Sequence, residues 1–445
     1  MANSFLSFIK RGPTKGIGPV LRRSSLICLM VTALLISGFA FNPIASAHGY
    51  PDTAHWVGTW ATSPVSEGEA FADKTLRQIV HISIGGDWLR VRLSNRFGTV
   101  PLVIDAASIG IQEAGASVVP GSLRALTFGG EASIAIAAGA KVLSDPVKLS
   151  VADEADLAVS LYVSEDTGGS TSHDFAWQTS YISSGDLTGE ASMPEDDPRT
   201  SWFWLTGVEV LAHRDDTHAV VTFGDSITEG CCNPDNTDTN TRYPDFLARR
   251  LLARYKGNVA VINEGISGNR ILNDFFGPNA QVRLDPDVLT QSGVTHVILL
   301  EGINDIGFPV LFPGPDPSAD EIIAGYKQII ERVHAMGLKI FFGTLLPYYP
   351  ASYFSAAGEA KRQAVNEWVR TSNLHDGVVD FDKAMRDPSD PEPFPTLLPA
   401  YDSGDHLHPS VAGYKQMGKI AERALRGLFD DYDDHHINYK DDYRR

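Results

Sequence analysis

Two different periods of apolar and polar residues divide this chain. Between about residues 55 and 215, apolar positions recur at every second residue. In "VHISIGGDWLRVRLS", Val80, Ile82 and Ile84 point one way and His81 and Ser83 the other. Gly85-Gly86-Asp87 reads as a turn, after which Leu89, Val91 and Leu93 alternate with Arg90 and Arg92. That pattern predicts a β-hairpin with one wet face. "VKLSV" (147–151) and "DLAVSLYV" (156–163) repeat it. Many short strands between Gly-rich turns predict an all-β sandwich or jelly-roll domain over residues 50–215. No internal repeat and no helical period of useful length interrupts it.

From about residue 218 the period changes. Short runs rich in Val and Ile fall at 219–223, 259–262, 296–300, 339–343 and 377–381, with helical patterns between them. In "SADEIIAGYKQIIERVHAM", Ile322, Ile323, Tyr326, Ile329, Ile330 and Val333 line one face, and Ser318 with Glu321 forms a capping box. Alternating strands and helices predict a parallel sheet with helices on both sides over residues 218–428. The polar stretch "LAHRDDTH" (211–218) reads as the boundary between the two domains. Residues 429–445 read as a charged tail. His435 and His436 in it offer a metal pair, against the simpler reading of a solvated tail.

Composition adds compartment and excludes some partners. At 445 residues the chain exceeds one ordinary core. Its first 47 residues carry Lys10, Arg11, Lys15, Arg22 and Arg23, no acidic residue, the apolar run "LICLMVTALLISGFAF", and "ASA" ending at Ala47. That order predicts a signal peptide over 1–47 and a secreted or periplasmic protein, with no stable membrane insertion after cleavage. Arg22-Arg23 hints at twin-arginine export. Removing those five cations takes the formal charge of −18 to about −23, which argues against nucleic acid or anionic membrane as partner. Of three cysteines, Cys28 leaves with the signal, so no disulfide framework is possible. Cys231 and Cys232 are adjacent. A bridge between neighbours is strained, and two free or intermolecular thiols are the simpler expectation. Zinc needs more ligands than this pair supplies. A redox-sensing role for the pair predicts an activity that responds to reductant.

The chemistry gathers where parallel strands end. Open parallel sheets bind ligands at the carboxyl ends of their strands. Gly224-Asp225-Ser226 follows the first predicted strand, "NEGISGNR" the second and "EGINDIG" the third. "DSGDHLHPSVAGYKQMG" precedes the last helix, with Asp405 and His408 three residues apart and Pro409 opening the helix behind them. A carboxylate beside an imidazole fixes its tautomer, freeing the other ring nitrogen to take a proton from a serine. Attack on an ester carbonyl makes an oxyanion that needs nearby donors. The Ser226 and Gly268 N–H groups and the Asn304 amide can supply three. His406 is the competing base. Asp225 and Asp305 read as caps or braces for these loops. Arg270 is either a substrate contact or a structural ion pair. Trp202 and Trp204 offer a sugar platform or packing between domains. Taken singly, each motif residue is as well explained by a cap or a turn.

Together the blocks "GDSITEG", "GISGNR", "GIND" and "DHLH", in that order, resemble the SGNH hydrolases, also called GDSL esterases and lipases. The resemblance covers roughly residues 218–428. It implies Ser226 as nucleophile, His408 as base, Asp405 as its orienting acid, and Ser226, Gly268 and Asn304 as the oxyanion hole. It further implies a flavodoxin-like αβα fold, an ester substrate, and no metal or organic cofactor. The first half is similar to the β-domain that precedes this catalytic domain in larger bacterial members, with "GTWATSP" near its start. Cys231-Cys232 and Glu229 depart from the family pattern. An α/β-hydrolase is disfavoured, because Thr228 stands where G-x-S-x-G has its second glycine. The expected function is a secreted serine esterase, with carbohydrate O-deacetylation as one substrate reading. The alternatives are a lipase or short-chain acyl hydrolase, and a glycan-binding protein with an inactive hydrolase-like half.

Overall fold

Five strands form the sheet of the second half: His218–Gly224, Val259–Gly265, Val294–Leu300, Lys339–Gly343 and Gly377–Val379. The computed structural model describes residues 54–232, 236–390 and 393–429. Residues 1–47 with Cys28, and His435 and His436, lie outside the described residues. Every pairing in this sheet is parallel, in the order second, first, third, fourth, fifth. The first and third strands are sealed on both sides, which is why they read as continuous Val, Ile and Leu runs. Helices Tyr243–Tyr255 and Val411–Ala424 pack together, as do Ala319–Ala335 and Ala356–Thr371. Ser318 caps its helix as the capping box predicts. The fifth strand stops at Val379, two residues early, because Asp380 caps the helix Phe381–Met385. The last helix starts at Val411, with Ser410 as its cap, so Pro409 lies just outside it. Phe429, which opened the expected tail, is buried with its ring edge-on to Tyr255.

Strand order reverses between the first and third strands. The crevice above that point is where an open parallel sheet accepts ligands. Ser226 follows the first strand and Asn304 the third, so the two stand on either side of it.

The first half is built from antiparallel sheets. Its expected hairpin does not exist. Lys74–His81 pairs with Asp156–Val163 and Ser180–Ser184, whereas Gly86–Ser94 pairs with Leu205–Ala212, Lys141–Leu143 and Val147–Val151. The Gly85 turn therefore carries the chain from one sheet to another. A period of two fixes which face a side chain takes, not which strand lies beside it. The arginine face is not wet either. Arg90 stacks over Trp56 and bonds Glu209, while Arg92 reaches Gln291 of the second half at 2.8 Å. Side chains from both large sheets, such as Leu76 and Leu161 from one and Val91 and Val208 from the other, join a single hydrophobic cluster. Trp202 and Trp204 belong to it. Both are buried, and the Trp202 Nε1 donates to Ile79 O, so neither offers a sugar platform.

The two halves meet in polar contacts as well as apolar ones, and the described residues form one compact unit. Gly58 N donates to Ser292 O at 2.8 Å, and Val261 N to the Ser83 hydroxyl at 3.1 Å. Arg283 is the densest junction. Fully buried, it donates to Gly224 O, Glu264 O, the Asn269 side chain and the Ser63 hydroxyl, and pairs with Glu301 at 3.2 Å. Its guanidinium also lies 4.1 Å over the Phe223 ring. One side chain thus ties the ends of three parallel strands to each other and to the first half.

Removing it strands several buried acceptors. Arg283→Met is expected to cost about 3–5 kcal/mol in urea unfolding. Arg283→Lys, which keeps the charge but loses the planar fork, falls between it and the wild type. A Met variant as stable as the parent contradicts this account.

Candidate active site

The strand His218–Gly224 ends in a close turn into the one-turn helix Ser226–Glu229. Asp225 is its cap, with extended backbone and its carboxylate accepting from Ile227 N at 3.0 Å. This turn sets the Ser226 hydroxyl at the head of the sheet, nearly buried. His408 Nε2 lies 2.9 Å from Ser226 Oγ. His408 Nδ1 lies 2.5 Å from Asp405 Oδ2, and the other Asp405 oxygen accepts from the His408 and Leu407 N–H groups. A carboxylate on Nδ1 assigns the proton there and leaves Nε2 as the acceptor for the serine hydroxyl. Asp405 and His408 stand in an irregular loop, so their closeness comes from Asp405 folding back on the next turn of chain.

The other two strand ends supply the facing loops. Gly268 has φ 74°, and a Cβ there would strike the Phe276 ring, so the position demands glycine. Asn304 starts the helix Ile303–Leu311. It donates one amide hydrogen to Asn269 O at 3.0 Å, which leaves the second for a ligand. Asp305 accepts from Ile271 N and Leu272 N at 2.7 and 3.2 Å, bracing the second loop from the third strand. Ser226, His408, Asp405, Gly268 and Asn304 thus all stand at the carboxyl edge of one sheet.

Residues 222–416 match the family described as GDSL-like lipase/acylhydrolase. This segment is similar to that family. No curated protein matches the chain. Among solved structures, the acetylxylan esterase Axe2 from Geobacillus stearothermophilus is 23% identical, with 46% of this chain and 93% of that one covered and a TM-score of 0.35. Est24, a carbohydrate acetylesterase from Sinorhizobium meliloti, is 16% identical, covering 46% and 97%, with a TM-score of 0.36. The acetyl xylan esterase AlAXEase is 20% identical, covering 46% and 97%, with a TM-score of 0.36.

Within the matched segment, the remaining candidates separate. His406 turns away to Asp402, at 2.6 Å, and is exposed. Arg270 lies 3.8 Å from Asp305 and donates to Pro315 O. Cys231 and Cys232 are not free thiols: a disulfide joins them. Both sulfurs lie within 4.8 Å of a His408 ring nitrogen. Cys231 N also donates to Ser226 O at 3.1 Å, so Cys231 is buried against the site while Cys232 is exposed.

Sequence reasoning missed what holds the loop that carries Ser267 and Gly268. Glu229 accepts from both the N–H and the hydroxyl of Ser267. Its partner is His173 of the first half, whose Nε2 lies 3.1 Å away while its Nδ1 meets Ser63 O at 2.7 Å. A lone histidine inside an alternating strand carries no signal of that role.

Electrostatics divide the carboxyls. Burial pushes Asp405 upward, but the hydrogen bond and charge of His408 outweigh it and hold the group well below the usual carboxylate range. Asp225 and Glu301 are sealed, and burial raises them to about 7 and about 8; Asp305 rises to about 6 for the same reason. For Glu301 burial prevails over the nearby Arg283 charge. A carboxyl raised on folding contributes stability below its unfolded value, and loses it as pH climbs through the folded one. The melting temperature is therefore expected to fall by several degrees between about pH 7 and pH 9, above the range in which His218, His296 and His375, lowered by burial, add stability as pH rises. Glu301→Gln flattens that slope. Differential scanning fluorimetry across the range checks both, and a midpoint that rises with pH in the wild type contradicts the assignment.

Proposed function

We propose that the protein is a serine esterase that hydrolyses carboxylic esters through an acyl-enzyme. The observation that carries this reading is the unbroken chain Ser226–His408–Asp405, with links of 2.9 and 2.5 Å at the edge of the parallel sheet. His408 Nε2 takes the Ser226 proton as Oγ bonds to the ester carbonyl carbon. The resulting oxyanion is met by the Ser226 and Gly268 N–H groups and the free Asn304 amide hydrogen. Collapse breaks the carbon–alkoxide bond, and His408 returns the proton to the departing oxygen. Water then repeats the sequence on the acyl-enzyme, releasing the acid. Asp405, ionised throughout, orients the ring and steadies its charged form.

Export is part of the proposal. The basic-then-apolar order of residues 1–47 and the "ASA" site support it, as does a disulfide, which persists in oxidising compartments. Among the described residues no helix is long and apolar enough to cross a membrane. N-terminal sequencing of exported protein should begin at His48; retention of the first 47 residues overturns this part.

Ser226→Ala is expected to lower kcat for p-nitrophenyl acetate by about 10⁴-fold or more and to abolish labelling by a serine-directed phosphonate. Asp405→Asn should cost on the order of 10³–10⁴-fold, and Asn304→Ala about 100-fold or more. Phosphonate labelling that persists in Ser226→Ala rejects the reading.

A further inference from the structure

A cavity of about 350 Å³ opens beside the Ser226–His408 pair. Phe175, Trp177 and Phe276, the Cys231–Cys232 disulfide and the Ser267–Gly268 turn wall it. Among the described residues, no charged side chain lines it. Its one hydroxyl, on Ser267, is already donated to Glu229. Trp177 Nε1 is buried without a partner among the described residues, so the wall offers a sugar few donors for the water it would give up, whereas an apolar group gains by burial there. Phe175 is 48% exposed at the mouth, a large ring left uncovered in the free protein.

The cavity's position says which half of an ester it meets. His408 must deliver its proton to the leaving oxygen, so the alcohol part departs on the imidazole's side. The disulfide wall is within 4.8 Å of that ring. We infer that this cavity binds the alcohol part of an apolar ester, with Phe175 and Trp177 of the first half as its specificity-determining residues. The inference rests on the serine-esterase reading above. The wall is held in place rather than loosely apposed. Asp238 N donates to Trp177 O at 3.1 Å, Thr179 N donates to the Asp238 carboxylate at 2.6 Å, and Arg242 donates to Ala176 O at 2.5 Å. His173, two residues upstream of Phe175, pairs with Glu229.

Alkyl acetates from ethyl to octyl test it, because their leaving groups have nearly equal acidity and differ only in apolar length. For the wild type, kcat/KM should climb about fourfold per added methylene until the cavity is filled, then level. Ethyl esters of acids from acetate to octanoate should not show that climb, and acetylated xylan should be a poorer substrate than octyl acetate. Trp177→Ala and Phe175→Ala, each checked for native circular dichroism, should lower the octyl-to-ethyl ratio about tenfold. A flat alcohol series, a climb on the acyl series instead, a preference for acetylated xylan, or an unchanged ratio in both variants overturns the inference. In each of those outcomes Ser226→Ala still abolishes turnover. Hydrolysis that survives Ser226→Ala, or its complete absence in the wild type, overturns the esterase reading and this inference with it.

Discussion

The buried guanidinium of Arg283 is the constraint on which the rest of the site depends. Parallel strands end in carbonyls that have no partner in the sheet, and three such ends must come close together for the site to form. Arg283 answers two of those carbonyls, at Gly224 and Glu264, and the carboxylate of Glu301 at the third end. It also fixes the Asn269 side chain, which in turn donates to Phe276 O and Pro278 O. The positions of Ser226, Gly268 and Asn304 are thereby set by one planar group with five donors. A lysine at this place would offer one charged point and could not span the same acceptors. Burying a cation is costly, and here the cost is offset because every direction of the fork meets an acceptor.

The first half takes part in the same construction. Ser63 bonds both Arg283 and Glu264, and His173 holds the Glu229 that grips the Ser267 loop. The β-rich half therefore bears on the loop that carries Gly268 through two buried polar routes, and it lends two aromatic residues to the cavity wall. A detached second half would lose Ser63 and His173, leaving Arg283 and Glu229 short of partners inside a closed interface. That explains why the two halves, distinct in sequence period, form one compact unit.

What could be read from sequence follows from how local each signal is. The strands of the parallel sheet were legible because double-sided burial demands unbroken apolar runs. The four motif blocks were legible because each sits at a strand end or ahead of a helix. Ser226, Gly268, Asn304, Asp405 and His408 each carry local chemistry, and the fold brings them to one edge. The failures are all non-local. Val80 and Leu89 alternate as hairpin strands do, yet their partners lie far along the chain at Leu157 and Val210. Arg90 and Arg92 look solvated until Glu209 and Gln291 meet them. Two adjacent cysteines reveal nothing of the imidazole they pack beside. His173 has no neighbour in sequence that marks it, since Glu229 is 56 positions away in another half of the fold.

Two carboxyls near the same imidazole are driven in opposite directions, and this separates their roles. Asp405 remains partly open to solvent, accepts two backbone N–H groups and touches Nδ1, so it stays ionised. Asp225 is adjacent to Ser226 in sequence but sealed, and one of its oxygens finds no hydrogen-bond partner among the described residues. Burial raises it to about 7, which leaves a large share of it uncharged at neutral pH. A second full negative charge at that depth would compete with Asp405 for the positive charge that develops on His408 when it accepts the serine proton. Environment rather than residue type thus suits Asp405 to the orienting role in the proposed mechanism and confines Asp225 to capping the helix that presents Ser226.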